Sequence, residues 1–157
     1  MAAIDAIGVG ARQVLLDVMM AVAWADREVA PDERKAAEAA AMSLGLVLPV
    51  DHDHGTFGAR PLRLEDLSFE ALSPRERELV YVCASWMALA DAVEQDAEVH
   101  LLRALGARLG LDGERADWLH ARAAELRQAQ AAAPSTWWRA FDRLVVEAAR
   151  ALHTDAR

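Results

Sequence analysis

Apolar residues recur at helical spacing along most of the chain. Val14, Leu15, Val18, Met19 and Val22 repeat with a period near 3.6, which predicts a first helix from about Ala11 to Ala25. Asp26 to Ala30 interrupts the pattern. Pro31 suits the first position of a second helix, where its missing N–H costs nothing. That helix gathers Ala36, Ala37, Ala40, Ala41 and Leu44 on one face, small side chains that permit close helix–helix approach. Leu44-Gly45-Leu46 reads as a Schellman stop, with Gly45 left-handed and Leu46 folding back onto the helix.

No periodicity runs through residues 47–64, which hold Pro49, Asp51-His52-Asp53-His54-Gly55, Gly58 and Pro61. A loop of this length inside a domain points to a function or an insertion. A short helix is expected over Glu65–Leu72. Ser73-Pro74-Arg75-Glu76 is a strong start signal, combining a capping Ser, a first-turn Pro and a capping-box Glu. The helix it opens runs to about Ala90 with Leu79, Cys83, Trp86 and Ala90 inward. Another follows over about Asp96–Leu109, with Leu101, Leu102, Leu105 and Leu109 apolar, and ends in a second Leu-Gly-Leu at 109–111. Asp112 caps a helix from about Gly113 to Arg127, with Leu119, Ala123 and Leu126 inward. Gln128–Pro134 is an Ala/Gln-rich stretch, either helix continuation or linker. Ser135 caps a last amphipathic helix over about 135–152 that carries Trp137, Trp138, Phe141, Leu144, Val145, Ala148 and Leu152. No stretch alternates long enough to read as a strand, so the expected fold is all-α, a compact bundle of about six to seven helices.

A shift of 65 residues superimposes two segments, about 14–46 and 79–111, without a gap. Ala23-Trp24-Ala25-Asp26 meets Ala88-Leu89-Ala90-Asp91, Glu33 meets Glu98, and the two Leu-Gly-Leu stops coincide. Each unit is a helix, an acidic turn, a second helix and a glycine stop. Two such hairpins packed together make a four-helix core inside a single domain covering 1–157.

Within each unit an Asp at the end of one helix precedes, by seven residues, a Glu in the first turn of the next. The pairs are Asp26 with Glu33 and Asp91 with Glu98, and Glu28 and Glu94 stand nearby as second choices. Because the turn reverses the chain, both carboxylates of a pair can reach one corner, where clustered oxygen ligands suit a hard divalent cation such as calcium or manganese. A structural account of the same residues stands beside this one. Acidic side chains in a first helical turn are favoured by exposed N–H groups and the macrodipole, and Glu33 and Glu98 sit about where a capping-box Glu belongs. Spacing alone leaves both open.

Two Ala-Asp…Glu turns, each followed by an apolar helix and a Leu-Gly-Leu stop, resemble the tellurite-resistance TerB family and the related N-terminal domain of membrane-anchored DnaJ-like co-chaperones. The resemblance covers about Leu15 to Leu126. It implies a compact all-α fold of about seven helices with an acidic surface that binds divalent cations, and an association with tellurite and other chemical-stress resistance. The family's acidic motif falls on Asp26 and Glu33, and on Asp91 and Glu98. The Gly that the family places directly after each Asp is replaced by Arg27 and Ala92, and the apolar residue kept as Val29 in the first copy becomes Glu94 in the second.

Composition narrows the function classes. With 157 residues, 54% apolar and 27% charged, the chain has the makings of one folded domain rather than a disordered segment. A formal charge of −8 argues against nucleic acid as main partner, since phosphate binding needs a basic footprint, and favours cations or basic protein surfaces. A single Cys83, no basic n-region before an apolar stretch, and an uncharged hydrophobic run (Val80 to Ala90) far short of the ~20 residues of a bilayer span together suggest the cytoplasm. No phosphate loop, nucleophile elbow or paired-His helix motif is present, so a non-enzymatic role is expected.

Three remaining features carry weaker chemistry. His52 and His54, alternate residues of an extended loop, could face one transition-metal ion, although a solvated polar loop is the plainer account. Used by a metal-dependent enzyme, they give the weakest of the functional readings. Of the other histidines, His100 points to a different side of its helix from Glu98, and His120 and His153 read as surface residues. The stripe of Trp137, Trp138 and Phe141 could dock into a partner's groove or lie at a membrane interface, or it could fold back and cover the four-helix core. Two functional readings follow: a cation-binding, stress-associated module acting through the acidic turns, and a protein-interaction adaptor using the Trp-bearing helix or the 47–64 loop.

Overall fold

The structure is a computed structural model that describes residues 7–23, 31–46, 50–51, 56–57, 63–89, 96–132 and 137–155. Among them are six α-helices: α1 (Val9–Ala23), α2 (Pro31–Leu44), α3 (Pro74–Ala88), α4 (Asp96–Arg108), α5 (Gly113–Ala132) and α6 (Trp137–Asp155). The fold is an all-α bundle, as the periodicity predicts. The Ala/Gln stretch is helix continuation as far as Ala132, in keeping with two good helix formers.

The α2–α3 connection holds a minimal antiparallel pair that the sequence did not announce. Strand β1 (Val50–Asp51) faces β2 (Thr56–Phe57), with Val50 opposite Phe57 and Asp51 opposite Thr56. The helix expected over Glu65–Leu72 is reduced to a single 3-10 turn, Leu64–Asp66. Leu64, Phe69 and Leu72 of this segment are buried. The Leu67 carbonyl, which a continuing helix would use internally, accepts a hydrogen bond from Arg108, and the Leu64 carbonyl takes one from Arg108 beside that from the Leu67 N–H.

Helix α3 is the pillar of the bundle. Every residue from Leu79 to Ala88 is buried, and the helix touches each of the other five. Of the inward residues expected for it, Leu79, Cys83 and Trp86 are buried and Ala90 lies outside the described residues; every other side of this stretch is buried too, the mark of a helix surrounded by others. Trp86 packs against Phe141 of α6 at 5.7 Å between ring centroids and 56° between planes, a tilted geometry that aromatic pairs favour. Ser73 accepts a hydrogen bond from the Glu76 N–H (3.2 Å) and Glu76 Oε1 one from the Ser73 N–H (3.0 Å), which completes the capping box.

The repeat extends to hydrogen-bonded detail. Adding 65 to the bounds of α1 gives those of α3, and the same shift carries α2 onto α4 except for the last residue. Both hairpins end in a full Schellman motif, with Gly45 at φ 70° and Gly110 at φ 75°. The Leu46 N–H donates to Ala41 (2.8 Å) and the Gly45 N–H to Met42 (3.2 Å); Leu111 donates to Gly106 (3.0 Å) and Gly110 to Ala107 (3.1 Å). The correspondence also begins earlier than the apolar stripe suggests. Arg12 Nε donates to the Ile7 carbonyl (3.1 Å) and Arg77 Nε to the Leu72 carbonyl (3.3 Å), an arginine in the first turn reaching back five residues in each copy.

Candidate functional site

Helices α2 and α4 place Glu33 and Glu98 alike, each as the third residue of its helix. The Glu98 side chain is fully buried, at 0% exposure, and with Ser85 it makes up the buried polar residues of the described core. Glu76 provides the contrast. It holds the same third position in α3, stays partly exposed, and reaches back to its own N-cap as a capping-box Glu does. A first-turn glutamate that only caps has no need to leave water, and withdrawing a carboxylate is costly unless hydrogen bonds or a cation compensate. His100, two residues on, is exposed on another side of α4.

Asp26, Glu28, Asp91 and Glu94, with their neighbours Arg27 and Ala92, lie outside the described residues, as does the side chain of Glu33. His52 and His54 also fall outside them, and of Trp137 and Trp138 only the helical backbone is described. Among the described residues no three His, Cys, Asp or Glu side chains gather as a metal site.

Phe141, grouped with the Trp pair as a partner-binding candidate, is a correction. Its side chain is at 0% exposure, and Leu144, Val145 and Ala148 of the same stripe are buried with it. The described part of the stripe is therefore spent on the core, where α6 lies against α2 and α3, and Phe141 could meet a partner only if α6 left the bundle. Among the described residues no helix is long and apolar enough to cross a membrane. Burial pushes the Cys83 thiol far above its ordinary range, so it stays protonated and serves as packing.

A groove of about 580 Å³ opens where the second glycine stop meets the starts of α3 and α5. Leu72, Pro74 and Arg77 border it together with Leu109, Gly110 and Leu111. Its charged side chains are engaged with one another or with the backbone. Arg115 makes a two-pronged ion pair with Glu78 (2.8 and 2.9 Å) and stacks over Trp118 at 4.5 Å, while Asp112 caps α5 through the Arg115 N–H at 2.7 Å. Arg77 donates to the carbonyls of Leu72, Phe69 and Leu109.

These arginine-to-carbonyl bonds are what sequence reasoning missed. Their one sequence trace is the 65-residue match of Arg77 with Arg12, which lies upstream of the apolar stripe. No family model, no curated protein and no solved structure matches this chain.

Proposed function

We propose that this chain is a non-enzymatic, TerB-like module of the cytoplasm that holds a divalent cation at the acidic corner of each helical hairpin and serves in resistance to chemical stress such as tellurite. Asp26 with Glu33, and Asp91 with Glu98, are the oxygen ligands, with Glu28 and Glu94 in support. Calcium and manganese are the ions whose preference for carboxylate and carbonyl oxygen suits such a set.

The observation that carries the reading is the burial of Glu98. It sits at the position the repeated pattern assigns to a ligand, beside a turn rich in carboxylates, and it is withdrawn from water where Glu76, a pure capping residue, is not.

Calorimetric titration of the full chain with calcium chloride and manganese chloride tests the proposal, on wild type and on a variant carrying both Asp26→Asn and Asp91→Asn. Heat of binding in the wild type that disappears in the double variant is expected. No heat in the wild type, or heat that survives the double substitution, overturns it.

A further inference from the structure

We propose that residues 63–72 form a strap that opens as a unit while the bundle stays folded, with Arg77 and Arg108 as its fasteners. The strap runs into the cap of α3 and forms, through Leu72, one wall of the groove beside the second glycine stop. Its own backbone bonds are local: Asp66 N–H to Arg63 (3.1 Å), Leu67 to Leu64 (3.1 Å) and Leu72 to Phe69 (3.2 Å). Among the described residues no backbone–backbone hydrogen bond ties it to a neighbouring helix. Three buried side chains, Leu64, Phe69 and Leu72, plug it into the core.

What replaces the missing backbone ladder is a pair of guanidinium groups. Arg108, at the end of α4, donates through Nη1 to the Leu64 carbonyl and through Nη2 to Leu67 (2.8 Å), and lies 4.8 Å over the ring of Phe69. Arg77, in the first turn of α3, donates to Leu72 (3.3 Å) and Phe69 (3.0 Å) on the strap and to Leu109 (3.2 Å) at the glycine stop. A carbonyl gains more from a charged donor than from a neutral one, so a few such bonds hold the segment shut. A segment attached by side chains rather than by a continuous ladder opens at lower cost than the core helices. Lifting Leu72 away from Leu109–Leu111 would widen the groove, so the strap sets access to it.

Native-state hydrogen exchange on the full chain reads this directly, because the amides of Asp66, Leu67 and Leu72 are bonded only within the strap, while those of Val82 and Cys83 report unfolding of the pillar. In the wild type the three strap amides should exchange faster than the α3 pair. In Arg108→Gln they should speed up on the order of a hundredfold, with the α3 amides changing far less. Strap amides that exchange only in step with Val82 and Cys83, in either protein, overturn the proposal. So do strap rates that Arg108→Gln leaves unchanged.

Discussion

The first and second hairpins share a template but not a place in the molecule. On the 65-residue register Ala21 of α1 matches Trp86 of α3, Asp17 matches Val82, and the alanines of α2 match the leucines of α4. Helix α3 is enclosed from Leu79 to Ala88, whereas the matching stretch of α1, Val14 to Ala23, leaves Val14 and Asp17 half-buried at its flank; both helices start at the surface. The alanine face of α2 fits a different environment from the leucines of α4, for α2 lies against α6 while α4 leans chiefly on α3. A duplicated hairpin thus supplies the architecture, and residue size at matched positions decides which copy becomes the centre.

The sharpest way to break that comparison is to remove the side chain that makes the second copy central. Trp86→Ala should cost about 3–5 kcal/mol, the range for deleting a buried aromatic and leaving a cavity. Trp86 is wholly buried, packs on Phe141 and has the Arg127 guanidinium 5.7 Å from its ring centre. Urea denaturation gives the number, and the first copy, with Ala21 at this register, has no equivalent to lose. A cost below about 1.5 kcal/mol, the scale of a volume-conserving core swap, would mean that α3 is not the pillar.

The helices, the two glycine stops, the capping box and the repeat were all legible, because each rests on local chemistry: a 3.6-residue period, a glycine able to take positive φ, a Ser-Pro-x-Glu start. Tertiary choices were not. Nothing in the periodicity of α3 distinguishes a helix buried on one face from one buried all round, since Tyr81, Ser85 and Met87 fit either. Phe141 fits a partner's groove or the core by its spacing, and only the position of α6 against α2 and α3 decides between them. The burial of Glu98 was invisible for the same reason, as a first-turn glutamate reads alike whether it meets solvent or interior. The strap escaped because its fasteners bond side chain to carbonyl across long stretches of sequence, and such bonds leave no period.

A subtler asymmetry joins the copies at their starts. Glu76 accepts the Ser73 N–H on Oε1 and, across the bundle, the Gly8 N–H on Oε2 at 3.1 Å, so one carboxylate closes the N-caps of both α1 and α3. The matching position in the first copy is Ala11, which has nothing to offer. Gly8 eases the approach, since a Cβ there would stand 3.0 Å from Oε2, a tight contact. Glu76→Ala should therefore cost about 2 kcal/mol, two caps at about 1 kcal/mol each. Ser73→Ala, which removes one acceptor from one helix, should cost about half as much. Equal costs in urea denaturation would show that the bond to Gly8 contributes nothing and that the two copies are capped independently.

The smallest effect is a matter of sign. Asp17 lies where α3 has Val82, and burial raises its pKa above the ordinary 3.8 even though the Gln13 side-chain amide, 2.8 Å from Oδ1, pulls the other way. A carboxyl with a raised folded pKa binds its proton more tightly in the native state than in the unfolded chain. Its contribution to stability is therefore full below the unfolded pKa and is lost as pH climbs from near 3.8 through the raised folded value. Asp17→Asn removes that loss, so variant and wild type should converge in acid and separate at neutral pH with the variant the more stable. Urea midpoints measured from pH 3 to pH 7 follow the divergence. A variant less stable than wild type at neutral pH would mean that the charge is welcome on α1, and that the flank of the first copy is solvated where the second is sealed.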